Sequence, residues 1–192
     1  MIIEEETVRK VIIKYLEKNQ AHFKLTKGAG PDIIKEGGIA LEVKGSRVKN
    51  DLPGALKQLT GYAFAYAELE LAIPIDTLSL GFIYSLFGIE AGIHFYSLGR
   101  QRSIAIYLVG EITLPDTAPR SYGVYKFSSV KDLLERVNTE LQSWTRFPSD
   151  VNMNEAIDKV SKTVIEFDEQ IRNWAQEQLV NAPYLSYKVE LE

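Results

Sequence analysis

The chain contains no cysteine. That excludes disulfides, thiolate zinc sites, iron–sulfur clusters and a cysteine nucleophile. Histidine is nearly absent too: His22 and His94 stand far apart in sequence, which suits structural or surface roles better than a shared metal. No apolar run approaches the ~18 residues of a membrane span. The opening residues, MIIEEETVRK, lack the basic start and apolar centre of a signal peptide. These absences predict an intracellular, cytoplasmic protein with no membrane partner. Gly28-Ala29-Gly30 is not followed by Gly-Lys-Ser/Thr and opens no helix, so it is no phosphate loop. No Gly-x-Ser-x-Gly nucleophile turn occurs either.

What is present is an ordinary globular composition: 192 residues, 45% apolar and 25% charged. The net charge of −4 is unevenly spread. Residues 1–60 hold 11 basic and 8 acidic side chains, a balance of +3; the remainder holds 11 and 18, a balance of −7. A basic N-terminal part permits a nucleic acid partner, and random scatter of surface charge gives the same numbers.

Hydrophobic period supplies the elements. Val8, Val11, Ile12, Tyr15 and Leu16 predict a helix over 4–19. Short strands are expected at 22–27, 32–35 and 39–46, the last two flanking the turn Glu36-Gly37-Gly38. Asn50 or Asp51, with Pro53 in the first turn, starts a helix running to about 68. From 78 to 127 the pattern reads as β-rich, with LSLGFIYSLFG, GIHFYSL and SIAIYLVGEI as strands and a turn at Gly99 to Arg102. Past Pro115 it becomes helical. Val130, Leu133, Leu134, Val137, Leu141 and Trp144 form one amphipathic stripe, which Pro148 ends. Ile157, Val160, Val164, Phe167, Ile171 and Trp174 form another, nearly three heptads long. That seam fits either packing on its own domain or a homodimer contact. The predicted fold class is α/β: an α+β mixed sheet flanked by helices, with residues 1–114 as core and 115–192 as a helical C-terminal extension.

Chemistry concentrates in residues 31–44, PDIIKEGGIALEVK. Side chains alternate along a strand, so Ile39, Leu41 and Val43 share one face while Glu42 and Lys44 share the other. A hairpin closing at Gly37-Gly38 brings Asp32 near Glu42 to Lys44. Two close carboxylates need a cation between them. Lys44 supplies one; a hard divalent ion, Mg²⁺ or Mn²⁺, held by Asp32, Glu42 and the Val43 carbonyl would supply more. Such a site suits phosphodiester hydrolysis, with the metal acidifying a water and Lys44 orienting it or stabilising charge on the phosphate.

Pro31-Asp32, ten positions, then Glu42-Val43-Lys44 resembles the signature of the PD-(D/E)xK nuclease superfamily. The order helix, three strands, helix, strand is that of its restriction-endonuclease-like core. Gln58-Leu-Thr-Gly-Tyr62 resembles the Gln-x-x-x-Tyr motif of the RecB-type branch. Positions i and i+4 share a helix face. The resemblance covers about residues 4–85. It implies a Mg²⁺- or Mn²⁺-dependent deoxyribonuclease in which Gln58 supports the carboxylates or water and Tyr62 contacts the DNA backbone. It also implies a metal-facing Glu on the first helix. Glu4, Glu5 and Glu6 compete for that role, and Glu5, in step with Val8 and Ile12, takes the inward stripe. Lys24, Lys27, Arg47, Lys49 and Lys57 flank the site as phosphate contacts or as plain surface charges. Other readings are a Holliday-junction-resolvase-like or restriction-type endonuclease, or a non-catalytic nucleic-acid-binding protein on the same fold.

Overall fold

A computed structural model describes residues 2–96, 103–112, 120–144, 153–181 and 186–191. Seven strands form one mixed sheet whose spatial order follows the chain order. The first helix, α1 (Glu5–Lys18), precedes β1 (Phe23–Leu25), β2 (Ile33–Lys35) and β3 (Ile39–Val43). These three strands are antiparallel neighbours. Helix α2 (Leu52–Tyr62) leads to β4 (Glu68–Pro74), and α3 (Leu80–Tyr96) leads to β5 (Ile104–Ile112). Both steps are parallel pairings. Parallel neighbours require a crossover, and a helix is the usual one. Antiparallel β6 (Ser121–Phe127), helices α4 (Val130–Trp144) and α5 (Met153–Asn181), and antiparallel β7 (Ser186–Glu190) complete the sheet.

Both faces of the sheet are covered. Val8, Val11, Ile12 and Leu16 of α1 pack on Leu41, Val43, Ala72, Tyr107 and Val109. Each such side chain stabilises the fold by roughly 1.5–3 kcal/mol relative to exposure. The opposite face carries Leu69, Leu71, Ile73, Ile106 and Leu108 beneath α2, α3, α4 and α5. The mixed sheet flanked by helices is therefore as the sequence pattern predicts. Among the described residues, no helix is long and apolar enough to cross a membrane.

Several local expectations need correction. LSLGFIYSLFG and the described part of GIHFYSL are helix α3, not strands. Phe82, Ile83, Leu86 and Ile93 are buried at helical spacing. Tyr84 is exposed, and apolar residues on the outer face hide the period from the sequence. Helix α2 stops at Tyr62, short of 68, because the chain must turn back for Ala67 N–H to reach Gly38 O at 2.9 Å and start β4. Strand β4 falls in the stretch after 68 to which the sequence reading assigns no element, although Leu69 and Leu71 alternate with Glu68 and Glu70. Strand β3 ends at Val43 rather than 46, and Ser46–Asn50 is a 3-10 turn. Residues 115–192 supply the two expected helices but also β6 and β7, which extend the same sheet. The expected turn at Gly99 to Arg102, Pro115 and Pro148 lie outside the described residues.

The hairpin forms as its glycines require. Gly37 and Gly38 take φ +85° and +77°, the left-handed region that costs other residues energy. Lys35 pairs with Ile39 and Ile33 with Leu41. Asp51 caps α2 by accepting Gly54 N–H at 3.3 Å, with Pro53 in the first turn.

One charge network spans the sheet on the α1 side. The Glu70 carboxylate is buried and accepts from Lys35 Nζ (2.9 Å), Lys126 Nζ (2.9 Å) and the Tyr107 hydroxyl (3.1 Å). It links four strands, β2, β4, β5 and β6. Burial and Glu70 push the Tyr107 hydroxyl well up, so it stays neutral and donates. Glu70→Ala is predicted to strand two lysines and lower stability by roughly 3 kcal/mol. Urea unfolding checks this. A loss below about 1 kcal/mol would show that both lysines simply turn to water.

Candidate active site

The site is built where β3 ends. Gly45 follows Lys44 and lies against the chain entering α1: a Cβ there would sit 2.5 Å from Glu5 N and 3.0 Å from Ile3 O. Only glycine allows this approach without a shift. Ser46 N–H donates to Ile3 O (2.9 Å), and Ser46 Oγ accepts from Ile3 N–H (2.7 Å) while donating to Asp76 (2.8 Å). The start of α1 is thereby fixed beside Lys44.

Asp32 precedes the first residue of β2, level with Glu42 by the hairpin register. Its Oδ2 accepts Val43 N–H at 2.9 Å. Its Oδ1 accepts from Arg9 Nη2 on α1. Glu42 is buried, with its side chain 3% exposed. Its Oε1 accepts from Lys44 Nζ at 2.5 Å. Its Oε2 is buried and has no hydrogen-bond partner. The structure thus brings Asp32, Glu42 and Lys44 together, as the hairpin argument requires, and adds Arg9.

Tyr62 approaches Glu42 from α2. Its hydroxyl is close enough to favour the charged carboxylate, yet Oε2 keeps no regular hydrogen bond. Burial, and then the neighbouring Glu42, push the Tyr62 hydroxyl well up, so it remains protonated. Its ring packs edge-on against Tyr66 at 6.1 Å. Gln58 lies one turn earlier and is exposed. It lines an open cleft of about 550 Å³ together with Glu5, Lys44, Arg47 and Asp51. Lys44 therefore belongs both to the cleft wall and to the carboxylate pair.

Other expected residues fall less close. Glu5 is not inward: its side chain is 46% exposed and pairs with Arg9 at 3.7 Å. It faces the cleft because its helical position lies just outside the buried stripe of Val8 and Ile12. Glu4 pairs with Arg47 at 3.4 Å across the same cleft. Glu6 reaches Arg9 at 3.8 Å. Lys24, Lys27 and Lys57 are exposed and do not line the cleft. The Lys49 side chain lies outside the described residues, as do those of Ile157, Val160 and Val164 on α5. Farther along that seam, Ile171 and Trp174 are buried in the chain's own core. Arg9 was missed. Its signal was present, since it stands four residues after Glu5 and so shares that helix face.

A hard cation is compatible with this donor set, which is all oxygen and includes one buried oxygen without a partner. Mg²⁺ commonly uses one or two carboxylates and keeps several waters. Among the described residues no group of three or more His, Cys, Asp or Glu is arranged to hold a metal. No family model, curated protein or solved structure matches the chain.

Burial raises the Glu42 pKa above its ordinary value of 4.5; Lys44 opposes this, Asp32 adds to it, and the net direction is upward. The folded state thus holds the Glu42 proton more tightly than the unfolded chain. That contribution to stability is complete below about pH 4.5 and is lost as pH rises through the raised value. Without added metal, the stability difference between wild type and Glu42→Gln should therefore shift in favour of the variant as pH rises from 4.5. Urea titrations at a series of pH values measure it. A difference independent of pH would contradict the upward shift.

Proposed function

We propose that the chain is a metal-dependent nuclease that hydrolyses DNA phosphodiester bonds. The observation that carries this reading is the convergence of Asp32, Glu42 and Lys44 at the end of β3, with one Glu42 oxygen buried and unpartnered. An unpartnered buried carboxylate oxygen is costly unless something cationic completes it. The order α1, β1, β2, β3, α2, β4 is also the element order that the PD-(D/E)xK resemblance implies. Tyr62 beside Glu42, and Gln58 in the cleft next to Lys44, support the RecB-type form of that resemblance.

In this reading Glu42 and Asp32 hold Mg²⁺ or Mn²⁺, with the Val43 carbonyl as a further oxygen. The bound ion supplies Lewis acidity toward the phosphate and a more acidic water. Lys44 stands at the cleft wall and directs its ammonium toward the scissile phosphate or the attacking water. Gln58 and Arg47 line the space that DNA enters, and Arg47 adds salt-dependent phosphate attraction.

A second reading has its own observation. Both carboxylates already carry a basic partner, Arg9 on Asp32 and Lys44 on Glu42. A non-catalytic nucleic-acid-binding protein would show the same pairs as structural ties.

Labelled single- and double-stranded DNA with Mg²⁺ or Mn²⁺ separates the two. Cleavage by wild type, reduced ~100-fold or more in Glu42→Ala and Lys44→Ala, is the expected result. Binding without cleavage, or equal cleavage by all three proteins, would sink the nuclease reading.

A further inference from the structure

We infer that Arg9 is a positioning residue that holds Asp32 in its metal-free arrangement and so sets how tightly the site takes a divalent cation. This rests on the metal-site reading above. The Asp32 carboxylate is held at two points, by Val43 N–H on one oxygen and by Arg9 on the other. Lys44 occupies Glu42 in the same way. Two monovalent cations thus stand against the two carboxylates that a divalent ion would use.

Arg9 is not fully satisfied in this position. Its Nε is buried and has no acceptor. A guanidinium binds a carboxylate best as a two-pronged fork, and here one nitrogen alone, Nη2, serves Asp32. Arg9 also has somewhere else to go. Glu5 and Glu6 lie one turn before it, at 3.7 and 3.8 Å, and both are much more exposed than Asp32. Residues three and four apart on a helix are natural ion-pair partners. A swing of the guanidinium toward Glu5 and Glu6 frees Asp32 Oδ1 without leaving a bare charge. Metal affinity is then a competition in which Arg9 opposes the ion both by occupying Asp32 and by its own positive charge.

The competition is testable by metal binding alone. Calorimetry compares Mn²⁺ binding to wild type, Arg9→Gln and Asp32→Ala. Arg9→Gln should bind at least ~10-fold more tightly, because a unit charge beside a divalent ion has been removed. Damage to the scaffold would instead weaken binding. In wild type, the Arg9 Nε–Hε resonance should move with the same midpoint as Mg²⁺ saturation. That second measurement decides the matter if Arg9→Gln fails to fold.

Equal or weaker Mn²⁺ binding by a folded Arg9→Gln overturns the role of Arg9, as does an Arg9 resonance that stays still while Mg²⁺ binds. Either result leaves the metal site standing. Absence of Mn²⁺ binding in wild type and Arg9→Gln alike removes the metal site itself, and this inference with it.

Discussion

A sheet covered by helices on both faces has no wet side. Every charged side chain placed on its central strands must therefore find a partner within the fold, because an unpaired buried charge costs several kcal/mol. Two acidic residues on the adjacent strands β3 and β4 obey this constraint on opposite faces. Glu70 meets it in full, with two lysines and a tyrosine on its oxygens. Glu42 meets it only in part, with Lys44 on one oxygen and nothing bonded to the other. The contrast separates a structural knot from a candidate site. Both are buried carboxylates on neighbouring strands; only one is left incomplete and next to an open cleft.

The incomplete site depends on an arrangement several residues away. Gly45 lets the chain entering α1 lie directly on the end of β3. Because α1 is anchored there by the Ile3–Ser46 pair, its first turns present Glu5 and Arg9 to the hairpin. The opposite wall is α2, whose capped start and Tyr62 end bracket the cleft and the Glu42 carboxylate. Three elements, α1, β3 and α2, are thus held at one corner by contacts that involve no catalytic chemistry.

The hairpin and its charges were legible in the sequence because each rests on local rules. Paired glycines mark the turn, and alternation puts Glu42 and Lys44 on a common face. The capped start of α2 was legible for the same reason, since Asp51 and Pro53 act within one turn. Helix α3 was not. Its buried stripe is surrounded by apolar residues, and what makes it a helix is the need to cross between parallel strands β4 and β5, a fact of topology. Strand β7 was hidden likewise, since its pairing partner β6 lies two helices back along the chain. Arg9 shows a third kind of miss. The charge pattern of α1 reads as an ordinary polar face until Asp32 is placed beside it.

The strand order carries a further consequence. Each strand bonds to the strands immediately before and after it in the chain. The sheet can therefore grow by accretion from one edge to the other, with no strand inserted between two earlier ones. Asp32, Glu42, Lys44, Gln58 and Tyr62 all belong to the early part of this growth, and β7 to its last step. The far edge is nonetheless tied back to the start: α1 packs on Tyr122 and Val124 of β6 and on Val189 of β7, so the last strands to join also seat the helix that carries Arg9.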